Sequence, residues 1–267
     1  MAPRAAVLIA ALAALGCLKA PSPAARQAGC GSCHETHYLR EGACHECHRG
    51  NPGAERVELA HARLLTGRAS EHRLSDGPAL REGRRLAEML ACRRCHSIGG
   101  EGNRLAADLD KVVWTREQAQ LVSSIREPVE NMPRFGLDER QAEAIVAFLL
   151  KSGSGDQSQD RYRVHFTRTA SATLTAFEKS CGGCHRFLGS AGPVGSGGTG
   201  PNLSGLFTSF YPKTAPGQAA WTEKALGEWL RNPRAARRTT TMPPVALSDD
   251  ELRRITAELR GPAATAP

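Results

Sequence analysis

The sequence predicts a helical protein that contains two similar units, preceded by a smaller region with little regular structure. Residues 132–149 align without a gap on residues 242–259, and each copy begins with Met-Pro. In each copy an N-cap residue, Asp138 or Ser248, is followed three positions later by Gln or Glu. This pattern is typical of a capped amphipathic helix.

Two further helices are predicted in each unit. One runs into a cysteine motif, over Leu80 to Ala91 in one unit and over Ala172 to Ser180 in the other. Another lies upstream of the repeat and ends before Pro128 or Pro233, because the residue before a proline disfavours helical geometry.

Four copies of Cys-x-x-Cys-His are the most informative feature of the chain. They are Cys30-Gly-Ser-Cys33-His34, Cys44-His-Glu-Cys47-His48, Cys92-Arg-Arg-Cys95-His96 and Cys181-Gly-Gly-Cys184-His185. In this motif the two thiols add across the vinyl groups of haem, and the adjacent imidazole binds the iron from the proximal side. The sequence therefore predicts four covalently bound haem c groups.

Other uses of these cysteines fit the sequence poorly. The motifs contain eight of the nine cysteines and leave only Cys17. A disulfide framework is typical of shorter chains and does not require a His after every second Cys. A zinc site built from two Cys-x-x-Cys pairs would leave the trailing histidines unexplained.

The motifs, together with polar and turn-forming segments, divide the chain. We predict a signal peptide over 1–16, a tether over 17–27, a dihaem module over 28–74, one unit over 78–152, a linker over 153–169, a second unit over 170–262 and a disordered tail over 263–267. The two motifs of the dihaem module begin at Cys30 and Cys44, so their haems are expected to lie in near contact.

The N-terminus predicts export. A basic start, Met1 to Arg4, precedes a short apolar stretch, Ala5 to Leu15, which is typical of a signal peptide. Ala14-Leu-Gly-Cys17 is similar to a lipobox, so we expect Cys17 to carry lipid and to anchor the protein on the periplasmic side of a membrane. Cleavage within the small-residue run Ala20 to Ala28 is the alternative.

The charge does not predict a nucleic-acid partner. The formal net charge is +8 and the pI is about 9.2, but Lys and Arg are scattered and aromatic residues make up only 5% of the chain. The propionates of four haems would also offset much of the positive charge.

The order of elements in both repeated units resembles that of class I cytochrome c, with an N-terminal helix, Cys-x-x-Cys-His, a loop, a helix, Met-Pro and a C-terminal helix. The resemblance implies an all-α fold around one haem in each unit. It also implies that the Pro201 carbonyl, in Gly200-Pro-Asn-Leu203, accepts the proximal His N–H. Gly102-Asn-Arg-Leu105 in the earlier unit has no proline.

The same resemblance assigns the sixth iron ligands of these units to Met132 and Met242, each followed by Pro. Of the other two methionines, Met1 is the initiator and Met89 is expected in the helix core. The separation from the proximal His is larger in the last unit, where Gly189 to Trp221 forms an insertion.

The dihaem module contains no methionine, so we expect its distal ligands to be histidines. In multihaem cytochromes, which the chain also resembles, the second His of Cys-x-x-Cys-His-x-x-His often binds the neighbouring haem. This assigns His37 to the haem of His48. For the haem of His34 we expect His61, on a predicted helix between two alanines, with His72 as the alternative; His45 points poorly for either iron.

These assignments predict an electron carrier without substrate chemistry, on its own or as a subunit of a larger oxidoreductase complex, because six-coordinate irons have no open site. We expect its partners to be other redox proteins, namely cytochromes or oxidase and reductase complexes. The alternatives are a haem reductase or an enzyme that resembles the dihaem peroxidases, and a redox or gas sensor.

Overall fold

The computed structural model describes residues 29–129, 131–153, 173–189, 191–214 and 220–260. Cys17, the predicted signal peptide and tether, all but one residue of the predicted linker, and the predicted tail lie outside these ranges. Among the helices that the structure describes, none has the length and apolar character needed to cross a bilayer.

The described residues form an all-α fold with ten α-helices, three short 3-10 helices and two small hairpins. The α-helices are α1 Cys44–His48, α2 Val57–Ala60, α3 Pro78–Met89, α4 Leu109–Thr115, α5 Gln118–Arg126, α6 Glu139–Ser152, α7 Ala176–Ser180, α8 Glu223–Arg231, α9 Pro233–Ala236 and α10 Asp249–Arg260. The antiparallel hairpins, which the sequence analysis did not predict, pair β1 Ser97–Ile98 with β2 Glu101–Gly102 and β3 Phe187–Gly189 with β4 Gly192–Val194.

The predicted helix caps are present in both repeats. The Gln141 amide donates to Asp138 Oδ1 over 2.8 Å, and the Gln141 side chain accepts from the Asp138 amide over 3.1 Å. Ser248 and Glu251 form the same reciprocal pair. Both caps satisfy amides that the first turn leaves without helical partners, and this explains why the helices begin there.

In the first unit, α3 and α6 cross closely. Gly83 makes the crossing possible, since a Cβ there would lie 1.9 Å from the Ala144 carbonyl oxygen and 2.9 Å from Phe148 Cβ. Leu86, Ile145 and Phe148 are buried at this crossing and belong to the core of the unit.

In the last unit, α7 is shorter than predicted and begins at Ala176. Its first amides donate to the Glu258 carboxylate on α10, at 3.0 Å for Ala176 and 3.3 Å for Phe177. Phe177 packs edge-on against Phe187 with ring centroids 4.8 Å apart, in a core that also includes Ile255 of α10.

The end of the dihaem module packs into the core of the first unit, although the sequence divides them near residue 75. Leu65 and Ala69 are completely buried there, and the His72 ring meets Trp114 of α4 edge-on with centroids 6.3 Å apart. The Arg49 guanidinium lies over the same indole and donates to the Val113 carbonyl over 3.0 Å. The module and the first unit therefore share one hydrophobic core.

Candidate haem-binding sites

Each Cys-x-x-Cys-His motif forms a single helical turn. The His amide donates to the carbonyl of the first Cys at 3.1 Å in the motif of His34, at 3.1 Å in that of His96 and at 2.9 Å in that of His185. The motif of His48 coincides with α1. One turn thus presents two sulfurs and one imidazole from each motif, which is the arrangement that thioether attachment and axial ligation require.

None of the eight motif cysteines forms a disulfide. Burial raises the pKa of Cys92 and of Cys181 to about 11 each, and it also raises the pKa of Cys47 and Cys95. These thiols are therefore protonated at neutral pH.

Three proximal imidazoles are oriented by backbone carbonyls. The Nδ1 atoms of His48, His96 and His185 each lie 2.8 Å from a carbonyl oxygen, that of Leu65, Ala107 and Pro201 respectively. An Nδ1–H bond of this kind leaves Nε2 unprotonated and available to a metal. Burial also lowers the pKa of His96, which favours the neutral imidazole.

The acceptor for His96, which the sequence leaves open, is the Ala107 carbonyl. The Ala106 amide donates to the Cys95 carbonyl just as the Gly200 amide donates to the Cys184 carbonyl, so Ala106 corresponds to Gly200. Ala107 therefore takes the place of Pro201, and Gly102 to Leu105 does not supply the acceptor. The sequence contains a signal for this register, because Asp108-Leu109 aligns with Asn202-Leu203 and so places Ala107 opposite Pro201.

A cavity of about 840 Å³ lies beside the third motif. Its lining includes Cys92, Cys95 and His96 on one side and Met132 with Pro133 in the loop before α6. Its volume is within the range of small-molecule and cofactor sites. Two cysteines, an imidazole and a thioether that line one cavity are the donor set that a covalently bound, six-coordinate haem uses, so these residues fit the group.

Met242 lies in the corresponding position of the last unit, where it packs against the apolar core. The Trp229 indole N–H donates to Met242 Sδ over 3.1 Å, and the Trp229 ring meets Trp221 edge-on with centroids 5.8 Å apart. No motif in the sequence links Trp229 to the methionine, so Trp229 was not predicted as part of the site. The one available signal was its position on the amphipathic α8, which packs against the core.

The dihaem module brings its histidines together in two pairs. Nε2 of His37 lies 3.3 Å from Nε2 of His48, and their ring centroids are 5.5 Å apart. The rings of His34 and His61 have centroids 5.8 Å apart. The sequence predicts His61 within a helix, but this prediction is wrong. The short α2 ends at Ala60, and His61 directly follows it.

Several large apolar side chains next to these histidines in the sequence are exposed. Tyr38 and Leu39 follow His37 and are 64% and 43% exposed, while Val57 and Leu59 on α2 precede His61 and are 66% and 48% exposed. Large apolar side chains exposed together in this way mark a surface that binds something apolar. Two cysteine motifs, two imidazole pairs and exposed apolar side chains nearby in the sequence are a combination that fits haem.

His72 and Met89 do not lie where the sequence predicts. His72 is only 3% exposed and lies against Trp114, where its Nδ1 contacts the Ala69 carbonyl at 3.3 Å; it belongs to the packed core and is not beside His34. Met89 was expected in the core but is 59% exposed at the end of α3. The Arg85 guanidinium lies 3.8 Å from its sulfur on the same helix face.

Two regions of the chain match known protein families. Residues 78–149 match the family model described as Cytochrome C oxidase, cbb3-type, subunit III, and residues 172–260 match the model described as Cytochrome c. Each match lies within one of the two repeated units. No curated protein and no solved structure gave a match.

These matches agree with the two motif turns, the oriented imidazoles and the Met-Pro loops of the repeated units. Cytochrome c domains bind haem covalently and carry electrons through it. The chain thus contains two cytochrome c domains in tandem, and it is a c-type cytochrome.

Proposed function

We propose that the protein is a tetrahaem cytochrome that carries electrons between respiratory redox partners. Two haems would be held by the cytochrome c domains through His96 with Met132 and His185 with Met242. Two more would be held by the N-terminal module through His48 with His37 and His34 with His61. When bound, each haem supplies an iron that alternates between the ferrous and ferric states.

The observation that carries this proposal is the pairing of imidazoles in the N-terminal module. Iron held between two imidazole nitrogens needs them about 4 Å apart, at metal–nitrogen distances of about 2 Å. The distance between Nε2 of His37 and Nε2 of His48 is 3.3 Å, and a small side-chain rotation would widen it to this value. Two histidine pairs beside two cysteine motifs therefore support two bis-histidine sites.

Ligand identity gives the haems different tasks. A thioether ligand raises the reduction potential of haem iron, and a second imidazole leaves it lower. The N-terminal module is thus proposed as the low-potential part and the two Met-ligated domains as the high-potential part. Electrons would pass from the module, through the domain of Met132, to the domain of Met242.

The surroundings of the protein are proposed from the N-terminus and from the family match. The signal-like start and Cys17 support export and a lipid anchor on the periplasmic side of a membrane. The first domain resembles a component described as an oxidase subunit, and this supports an oxidase complex as one partner. Other cytochromes and reductase complexes are further candidates.

A potentiometric titration of the holoprotein, monitored by EPR, tests this function. We expect four one-electron steps, two at lower potential from bis-histidine haems and two at higher potential from Met-ligated haems. The reduced protein should not bind CO, and the protein should not turn over peroxide. Peroxide turnover with a high-spin ferric signal would instead indicate an enzyme.

A further inference from the structure

The two cytochrome c domains meet at their haem-attachment segments. Arg94, which lies between the two cysteines of the third motif, donates from Nη1 to the Asn202 carbonyl over 3.3 Å. Asn202 directly follows Pro201, whose carbonyl holds the proximal His185 at 2.8 Å. A single side chain thus connects the attachment turn of one haem to the residue next to the His185 acceptor of the other.

Further contacts hold the two segments together. The Asn103 side-chain amide donates to the Arg94 carbonyl over 2.9 Å and to Thr208 Oγ1 of the last domain over 3.0 Å. The Tyr211 hydroxyl donates to the Asn202 carbonyl over 3.4 Å, and the Arg94 guanidinium lies 5.6 Å from the Tyr211 ring centroid. Thr208 and Tyr211 belong to the insertion of the last unit, so the extra loop length forms part of this interface.

The approach is close enough to require glycine. A Cβ on Gly205, which has φ +68°, would lie 2.7 Å from Asn103 Nδ2 and 2.9 Å from the Arg94 carbonyl oxygen. In addition, Leu188 of the last domain lines the cavity that contains Cys92, His96 and Met132. The last domain therefore forms part of the wall of the haem site in the first domain.

Resting on the proposed function, we propose that Arg94 is the positioning residue of an internal electron-transfer contact between the two cytochrome c domains. With haem held by His96 and by His185, one electron would pass from the ferrous iron of the first domain to the ferric iron of the last, so that the first is oxidised, the second is reduced and no proton is transferred. Because tunnelling depends steeply on the gap, the Arg94–Asn202 bond would raise the rate by helping to hold the two attachment segments in contact, together with the bond from the Asn202 side chain to the Asn131 carbonyl at 3.2 Å.

The chain offers a matched control in the neighbouring residue. Arg93 lies in the same motif, but its guanidinium donates to the Ile98 carbonyl, at 3.0 and 3.2 Å, and lies near Glu101, all within its own domain. Arg93→Gln and Arg94→Gln therefore remove the same charge from adjacent positions, and only the second removes a bond between the domains.

The test uses the full holoprotein in a Met132→His background, so that the remaining Met–iron charge-transfer band reports only the haem of Met242. A pulse of reductant, in less than the stoichiometric amount, then delivers electrons to the protein. The Met–iron band disappears as the haem of Met242 is reduced, and a rate of loss that does not depend on protein concentration measures electron transfer within one molecule. We expect Arg94→Gln to slow this phase several-fold, because the tunnelling rate falls as the gap between the two attachment segments widens. Arg93→Gln should leave it unchanged.

Two further readouts separate positioning from other effects. The midpoint potentials should be the same in all variants, while magnetic coupling between the two ferric irons, measured by EPR relaxation, should weaken only in Arg94→Gln. If Arg94→Gln does not load haem, Thr208→Val replaces it in the test, because this variant removes the bond from Asn103 to the last domain. We expect Thr208→Val to slow the same phase. An unchanged rate in the loaded variants, or equal slowing by Arg93→Gln, would overturn the proposal. If the parent protein never reduces the haem of Met242, the proposed function itself is wrong.

Discussion

Nε2 of His37 lies 3.3 Å from Nε2 of His48, although eleven positions separate them in the chain. His48 is further held by the Leu65 backbone, since its Nδ1 contacts the Leu65 carbonyl at 2.8 Å and the Leu65 amide donates to the His48 carbonyl over 2.7 Å. The Leu65 side chain is completely buried in the core of the first cytochrome c domain. One member of the imidazole pair, His48, is thus fixed to a packed domain.

Replacing a distal histidine should open one iron. We expect His37→Ala and His61→Ala each to produce a high-spin ferric EPR signal and CO binding in the reduced state, because water replaces the lost imidazole. The control is His72→Ala, which should give neither signal, since His72 lies in the core against Trp114. An open site in His72→Ala, with unchanged spectra in His61→Ala, would show that His61 is not the ligand of the haem of His34.

The Trp229–Met242 bond should raise the potential of one haem. A hydrogen bond to the sulfur withdraws electron density and favours ferrous iron, so Trp229→Phe should lower that midpoint potential. A bond of about 1 kcal/mol corresponds to about 40 mV for one electron. Trp221→Phe is the control, since it keeps the 3.1 Å bond. Equal potentials in the wild type and Trp229→Phe would show that this bond has no effect on the haem.

His72 should make the stability of the N-terminal core depend on pH. Burial, with smaller effects from the positive charges of Arg49, Arg73 and Lys151, lowers the pKa of its imidazole from 6.5 to about 4, although the hydrogen bond to the Ala69 carbonyl acts in the opposite direction. Between these two pKa values the unfolded chain binds more protons than the folded one, so the free energy of unfolding falls as the pH falls from 6.5 towards 4. The loss amounts to at most about 3 kcal/mol.

Urea unfolding of the wild type and of His72→Leu, at pH 7 and at pH 4.5, measures this contribution. We expect the wild type to lose more stability than the variant over this range. Parallel losses in the two proteins would mean that His72 is not the titrating group.

Cys17 should anchor the protein. Since Cys17 is the one cysteine outside the haem motifs and follows a short apolar stretch, Cys17→Ser should move the holoprotein from the membrane to the soluble periplasmic fraction. The idea would be refuted if the wild type were already in the soluble fraction.

The features of the fold that could be predicted are those formed by residues close together in the sequence. The caps at Asp138 and Ser248 could be predicted because the residues that form them are three positions apart. By contrast, the burial of His72 depends on Trp114, and the contact of Arg94 depends on Asn202, both distant in the chain. Such contacts follow from how domains pack, and no periodicity or motif in the sequence encodes them.

In the candidate site, too, the residues in a local motif could be predicted and those positioned by long-range contacts could not. Cysteines and proximal histidines were identified from a five-residue motif, and the structure places each set on one turn. The acceptor Ala107 was missed, because a backbone carbonyl has no side-chain signature and only its register relative to Leu109 marks it. The match of residues 172–260 to the Cytochrome c model supports the reading of the last domain, whereas the N-terminal module stays a prediction.

The intact mass of the mature protein tests the central claim most directly. Four haem additions to one polypeptide, with no free thiols at Cys30, Cys33, Cys44 and Cys47, are the result we predict. Two haem additions, with these four thiols free, would contradict the tetrahaem account and leave only the two cytochrome c domains.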